Sequence, residues 1–374
     1  MTADNARAAL VAVVALVAGG SIAAGDAPPA AVSPPPPEPG FVVEEVAPGV
    51  HALIRTKLPG LLMDANVVFI VNDEDVVVVD TNLTPASARA SLAALRSITA
   101  KPVRVVVNTH WHPDHVSGNQ VYRDAFPAAE IVGHPRMRED MAARGADNRR
   151  QFGEQAREFV SLLKGLLDKG TSLAGEPLTS EERASYEADI RLTEETIAAS
   201  PLPVVPPTLT VADRLTLHRG ARTIEVLSLG RSHTHADLVV HLPHEGVVVS
   251  GDLVVAPTPL IGGDQSFVAD WAASLDRLLE LRPRVVVPGH GPVLRDDRQV
   301  VLLRDLMRSI HRQTAAALAR GETLEQARAA VDVESFRTAM AGDSVVLRVI
   351  FSAYGRTPGI AAVFREADAA PPRE

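Results

Sequence analysis

The segment Asn108–Asn119 reads NTHWHPDHVSGN and sets His110, His112, Asp114 and His115 within six residues, directly after the apolar run Val103–Val107. Imidazole nitrogens and carboxylates are the ligands that borderline metals such as zinc prefer, and ordinary proteins rarely collect them so tightly outside repeats. A His-rich solvated loop is the bland alternative. The cluster constrains the fold because a buried strand has to deliver all four side chains to one edge of a sheet.

The chain has 374 residues and is 46% hydrophobic, enough for one large globular domain or two ordinary ones. A formal charge of −9 argues against a general nucleic-acid-binding surface, so no nucleic-acid partner is expected and a small-molecule substrate is. There are no cysteines, which removes disulfides and thiolate ligands and leaves any metal to His and carboxylate. Residues 1–27 carry an Ala/Val-rich apolar run followed by small residues and read as a secretory signal peptide. The expected location is periplasmic or secreted, with no stable membrane insertion after processing and a membrane anchor if the segment stays uncleaved. Residues 28–40 form a Pro-rich linker that should be an extended spacer.

From Phe41 the chain reads as short β-rich runs, Phe41–Val46, Val50–Arg55, Val67–Val71 and Val76–Asp80, separated by turn dipeptides. A helix over Pro85–Thr99, a buried strand at Val103–Val107, a helix over Ser117–Phe126 and a strand at Glu130–Gly133 change the pattern to β-α-β. Residues 135–200 are charged and helix-favouring, with a break at Gly170–Pro177; they form a helical insertion, either a docked cap or a lid lining a substrate entrance. Strands resume at Thr208–Val211, Arg214–His218, Thr223–Leu229, Leu238–Leu242 and Val247–Ser250. A helix at Ala269–Leu281 and a strand at Arg284–Val287 follow. The second half thus repeats the order of the first, which predicts two sheets packed face to face with helices outside. The core domain spans 41–296, and 297–374 is a helical C-terminal extension packed on it.

Three later features extend the opening cluster: GRSHTHAD around His233, SGD ending at Asp252, and VPGHG around His290. Each follows an apolar run or lies in a turn, so the ligands converge along one sheet edge where a coordination position stays open. The combination of HxHxDH with a distant HT, GD and GH resembles the metallo-β-lactamase-fold hydrolase superfamily. That resemblance implies an α/β fold, the αββα four-layer sandwich, and two divalent metal ions. It assigns His110, His112 and His233 to one ion, Asp114, His115 and His290 to the second, and Asp252 to a bridge between them. Zinc fits the donor set, as do iron and manganese.

His233 and His235 lie two apart; the family pattern, with its ligand directly before Thr, selects His233. Asp80 ends VVVVD and reads either as support for the ligand loops or as a strand-end turn carboxylate, and His134 reads as a structural hydrogen-bonding residue. The apolar loop Pro59–Asn66 is placed where this superfamily often covers substrates. The commonest dizinc lactamases use a cysteine this chain lacks, whereas a bridging Asp is similar to lactonases, thioesterases, phosphodiesterases and some lactamases. A flavo-diiron protein would carry Glu at the position of His112.

Two divalent ions joined by a carboxylate bring the pKa of a shared water towards neutrality, and the hydroxide so formed attacks an electrophilic centre while a metal steadies the oxyanion. Asp114 is placed to accept the proton of that water and is the expected catalytic base. The expected activity is hydrolysis of a small carbonyl substrate such as a β-lactam, lactone or thioester. The alternatives are a phosphodiesterase or nuclease of the same fold, and a low-turnover accessory protein of a periplasmic quinoprotein system.

Overall fold

In the computed structural model the described residues are 40–368 except 56–59, 61–62, 144, 200–203 and 263–264. The expected signal segment, the Pro-rich spacer apart from Gly40, and Pro59, Leu61 and Leu62 of the apolar loop lie outside the described residues.

The first half opens as an antiparallel meander of β1 (Phe41–Ala47), β2 (Val50–Arg55), β3 (Val67–Val71) and β4 (Val76–Val79). Helix α1 (Pro85–Ile98) then crosses to β5 (Val103–Val107), which lies parallel to β4. Thr84 caps α1 by accepting from the Ser87 N–H, and Pro85 at the first helical turn has no N–H to leave unpaired. Two short helices, α2 (Pro113–Val116) and α3 (Asn119–Ala125), lead to β6 (Glu130–Gly133), parallel to β5. The helix expected over Ser117–Phe126 forms as α3 from Asn119, and Ser117-Gly118 separates it from α2, a short helix that the pattern did not indicate. A Cβ on Gly118 would lie 1.8 Å from the Thr81 carbonyl oxygen, so the chain turns where only glycine fits.

The insertion carries α4 (Pro135–Ala143), α5 (Gly145–Lys169) and α6 (Ser180–Ala199) before β7 (Leu209–Thr210) closes the first sheet. The second sheet is β12-β11-β10-β9-β8, built from β8 (Arg214–Arg219), β9 (Arg222–Ser228), β10 (Leu238–Leu242), β11 (Val247–Val255) and β12 (Val285–His290). Helix α7 (Val268–Glu280) makes the crossover to β12, which pairs parallel to β11. The tail adds α8 (Arg298–Ala319), α9 (Leu324–Ala330), α10 (Glu334–Ala341), α11 (Val345–Ile350), a π-helical turn at Phe351–Arg356 and α12 (Thr357–Asp368).

Three apolar layers hold these elements. Val50, Ile70, Val77 and Val107 of the first sheet meet Ile224, Val226, Leu238 and Val287 of the second. The alternate residues Phe69, Val78 and Val106 face outward and are covered by Leu92 and Leu95 of α1 and Tyr122 of α3. Val239 and Val248 on the far side of the second sheet are covered by Trp271 and Leu275 of α7 and Leu303 and Ile310 of α8. This is the αββα sandwich, and strands buried on both faces explain the unbroken valine runs.

Both strands that carry later ligands run past their expected ends. β11 continues through Gly251-Asp252 with register irregularities on either side of Gly251, and β12 continues to His290. Asp252 and His290 are therefore held inside strands rather than in the turns after them. The insertion is docked: Leu163, Tyr186 and Ile190 pack with Val346 and Ile350 of α11, while Glu181 accepts from Ser344 Oγ and the Val345 N–H. No helix among the described residues is long and apolar enough to cross a membrane.

Trp271 is fully buried and donates from Nε1 to the Leu253 carbonyl at 2.9 Å, tying α7 to β11. Trp271→Ala is expected to destabilise the chain by about 3–5 kcal/mol, read as a lowered urea midpoint at constant slope.

Candidate metal centre

One edge of the sandwich collects the side chains that the spacing singled out. β5 delivers His110 and His112, and Pro113 at the start of α2 turns Asp114 and His115 back over the strand end. Trp111 packs with Val116, Met137 and Met141, which fixes α2 against α4. The β9–β10 connection brings His233, β11 brings Asp252 and β12 brings His290.

Three groups have facing ligand atoms within 4.8 Å: His110, His112 and His233 at one end, Asp114, His115 and His290 at the other, and His110, His115 and Asp252 linking the two. Asp252 stands between them. Its Oδ2 lies 3.5 Å from His233 Nε2 and 4.0 Å from His110 Nε2, and its Oδ1 lies 3.4 Å from His115 Nε2 and 3.5 Å from His290 Nε2. One carboxylate oxygen thus faces each group. Asp114 Oδ2 lies 3.2 Å from His115 Nε2 and 3.0 Å from His290 Nε2.

The outward ring nitrogens fix which lone pairs point inward. His233 Nδ1 faces the Leu260 carbonyl at 2.8 Å; a carbonyl only accepts, so the proton sits on Nδ1 and Nε2 is bare. His115 Nδ1 donates to Asp80 Oδ2 at 2.7 Å, and His112 Nε2 meets Gln265 Oε1 at 3.1 Å. Thr109 Oγ1 donates to Asp80 Oδ2 and accepts from His110 Nδ1. The bare Nδ1 of His112 and Nε2 of His233 then face each other at 2.9 Å, an arrangement that two lone pairs sustain around a cation. Buried His110 Nε2, His115 Nε2, His290 Nε2 and Asp252 Oδ1 have no hydrogen-bond partner among the described residues, so the donor set fits metal ions.

Charge divides the two groups. Burial is the main cause that lowers His110 and His112 and pushes His233 down to about 3, so these rings are neutral. Burial also opposes charge on the second group, but Asp114 and Asp80 hold His115 well above its ordinary value. Asp252 and Asp114 likewise push His290 up to about 10. Against their own burial, Asp114 and Asp252 stay well below the usual carboxylate range beside those imidazoles.

Asp80 takes the supporting position: φ is +61°, and its carboxylate also accepts from the Thr109 N–H at 2.8 Å. Asn108 and Thr81 reach the His115 carbonyl and meet Asn119 behind it. His235 stacks on Phe267 outside both groups, and His134 Nδ1 accepts from the Arg136 N–H. Of the apolar loop, Asn66 bonds the Pro288 and Gly291 carbonyls beside His290. Sequence reading missed Asp237 and Gln265. Asp237 accepts from Ser232 Oγ, the Thr234 N–H and Thr234 Oγ1, holding the turn that carries His233; burial pushes it up to about 7 against those bonds. The Thr-x-x-Asp spacing was its signal. Gln265 had none, being 153 positions from His112.

A sandwich with His and Asp donors converging on one edge defines a metal-dependent hydrolase of the metallo-β-lactamase type. The sequence profile of the metallo-beta-lactamase superfamily matches residues 61–290, and the chain belongs to that superfamily, whose fold binds divalent metals. A linear primary-alkylsulfatase of Pseudomonas sp. (strain ATCC 19151) is 28% identical over 262 residues, 68% of this chain and 47% of that protein. The chain therefore spans about half the length of this curated relative. Among solved structures, a stereoselective inverting sec-alkylsulfatase from Pseudomonas sp. superposes with TM-score 0.61 at 17% identity, covering 89% of this chain and 52% of its own. A metallo-beta-lactamase from Pontibacter korlensis superposes with TM-score 0.51 at 18% identity, covering 72% of this chain and 99% of its own.

Gly289 is the tightest point around the bridge, since an added Cβ would lie 2.0 Å from Asp252 Oδ1. Gly289→Ala is expected to displace that carboxylate and weaken metal retention roughly tenfold or more, measured by chelator competition.

Proposed function

We propose that the chain hydrolyses small ester substrates at a two-cation centre. His110, His112 and His233 hold one ion, Asp114, His115 and His290 hold the other, and Asp252 lies between them. The observation that carries this reading is Asp252, with one oxygen turned to each group of ligands. Zinc is the metal that the imidazole-rich donor set suits best. When bound, the ions supply Lewis acidity to a substrate oxygen and lower the pKa of water in the site.

The protein's own groups do the rest. Asp114 is ionised at neutral pH, and its side chain, 18% exposed, is the most open of the ligand set, so it orients the attacking water and takes its proton. Asp80, Asp237 and the Leu260 carbonyl keep the imidazoles aimed while substrate enters.

For the ester class, the relative at 28% identity is an alkylsulfatase, which supports a sulfate ester of an alkyl alcohol as substrate: water and the ester give the alcohol and hydrogen sulfate. Purified protein loaded with zinc is expected to release sulfate from a medium-chain alkyl sulfate. Turnover of lactones, thioesters or β-lactams with no sulfate release would replace this class by the carbonyl one. Inertness towards all four classes with two metals bound would sink the ester reading.

Asp114→Asn should keep both metals and lose roughly 10²–10⁴-fold in kcat; near-normal turnover in the loaded variant refutes the base role. Metal loading at pH 7 should also release protons. In the metal-free protein His115 and His290 are held above their ordinary values and give up those protons on ligation, so apparent affinity rises with pH until His290 titrates near 10. Calorimetric enthalpies that do not vary with buffer ionisation would contradict this.

A further inference from the structure

In the connection between β11 and α7, residues 257–262 and 265–267 touch both His112 and His233 from outside. The Leu260 carbonyl faces His233 Nδ1 at 2.8 Å, Ser266 Oγ donates to the His233 carbonyl at 2.8 Å, and Gln265 Oε1 faces His112 Nε2 at 3.1 Å. Within the loop, the Gln265 N–H donates to the Gly262 carbonyl and the Gly262 N–H to Ser266 Oγ. Gly262 lies flat against the two rings, where an added Cβ would come 3.4 Å from His112 Cε1 and 3.6 Å from His233 Cε1.

The loop is itself held by the C-terminal helices. Gln299 of α8 donates to the Pro257 carbonyl at 2.7 Å, Glu366 of α12 accepts from the Val268 N–H at 2.8 Å, and Arg365 donates to the Ser266 carbonyl. The Ile261 N–H donates to the Tyr354 carbonyl at 2.6 Å. The π-helical turn at Phe351–Arg356 is where the tail opens to take the loop.

We infer that Gln265 is a positioning residue for the cation held by His110, His112 and His233. Gln265 Oε1 accepts a hydrogen bond from His112 Nε2–H and so leaves Nδ1 as the inward donor. Without that acceptor the ring is free to turn or to exchange tautomer. The inference rests on the two-cation reading above.

Two variants of the whole chain test it against the wild type: Gln265→Leu and Gln265→Glu. Stoichiometry and affinity for zinc are read by chelator competition, and the cobalt-loaded protein is read by its visible absorption. Gln265→Leu is expected to weaken one of the two metal equivalents by roughly 10–100-fold, with the other unchanged and the thermal midpoint of metal-free protein preserved. Gln265→Glu, which still accepts from His112, should restore that equivalent. Wild-type affinity in Gln265→Leu, equal loss of both equivalents, or failure of Gln265→Glu to restore binding each overturns the positioning role. A wild-type chain that binds no zinc defeats the two-cation reading instead, so the two failures are distinguishable.

Discussion

A buried cluster of imidazoles and carboxylates persists only where its charges cancel, and the placement of Asp252 decides that cancellation. One group is three neutral rings, and the other sets the single carboxylate of Asp114 beside two imidazoles held above their ordinary values, which leaves a positive excess. Asp252 supplies negative charge to both from one rigid position. It keeps that position because β11 passes through it instead of ending before it, and because Gly289 of β12 leaves the space its Oδ1 occupies. The register irregularities around Gly251 are the local cost of turning that side chain to the edge.

The layers follow from this requirement. Ligands from β5, β11, β12 and the β9–β10 connection meet only if two sheets present the same ends to one side, which the apolar layer between the sheets enforces. Outer helices exclude water from the backs of those sheets, and the low dielectric sharpens every interaction at the centre. Asp80, Gln265 and the Leu260 carbonyl form a second ring of acceptors that determines where His115, His112 and His233 carry their protons, while Asp237 holds the turn that carries His233. The chemistry of the site is thus decided as much by groups pointing at the ligands from behind as by the ligands.

Much of this was legible in the chain. NTHWHPDHVSGN is a local signal, and the valine runs give the sheet order because strands covered on both faces leave no alternation to confuse with helix. His233, Asp252 and His290 were legible through short motifs, and His235 was set aside by the residue following the ligand. Harder to read were the ends of β11 and β12, since Gly251-Asp252 and Pro288-Gly289 look like turn chemistry yet continue as strand. Gln265 was invisible because its meaning depends on a tertiary approach and on nothing in its neighbours. A strand-end aspartate such as Asp80 has the same local sequence whether it caps a turn or supports a neighbour, and only its hydrogen bonds to Thr109 and His115 place it behind the ligand loop.

The contact between the insertion and α11 has a consequence for how this chain could be shortened. Leu163, Tyr186 and Ile190 have as their apolar partners Val346 and Ile350, while Glu181 bonds the start of α11. Segments that lie more than a hundred positions apart are therefore two halves of one small core attached to the side of the sandwich. Removing either would bare an oily face on the one that remains. A chain shortened at one of these places would therefore have to be shortened at the other as well.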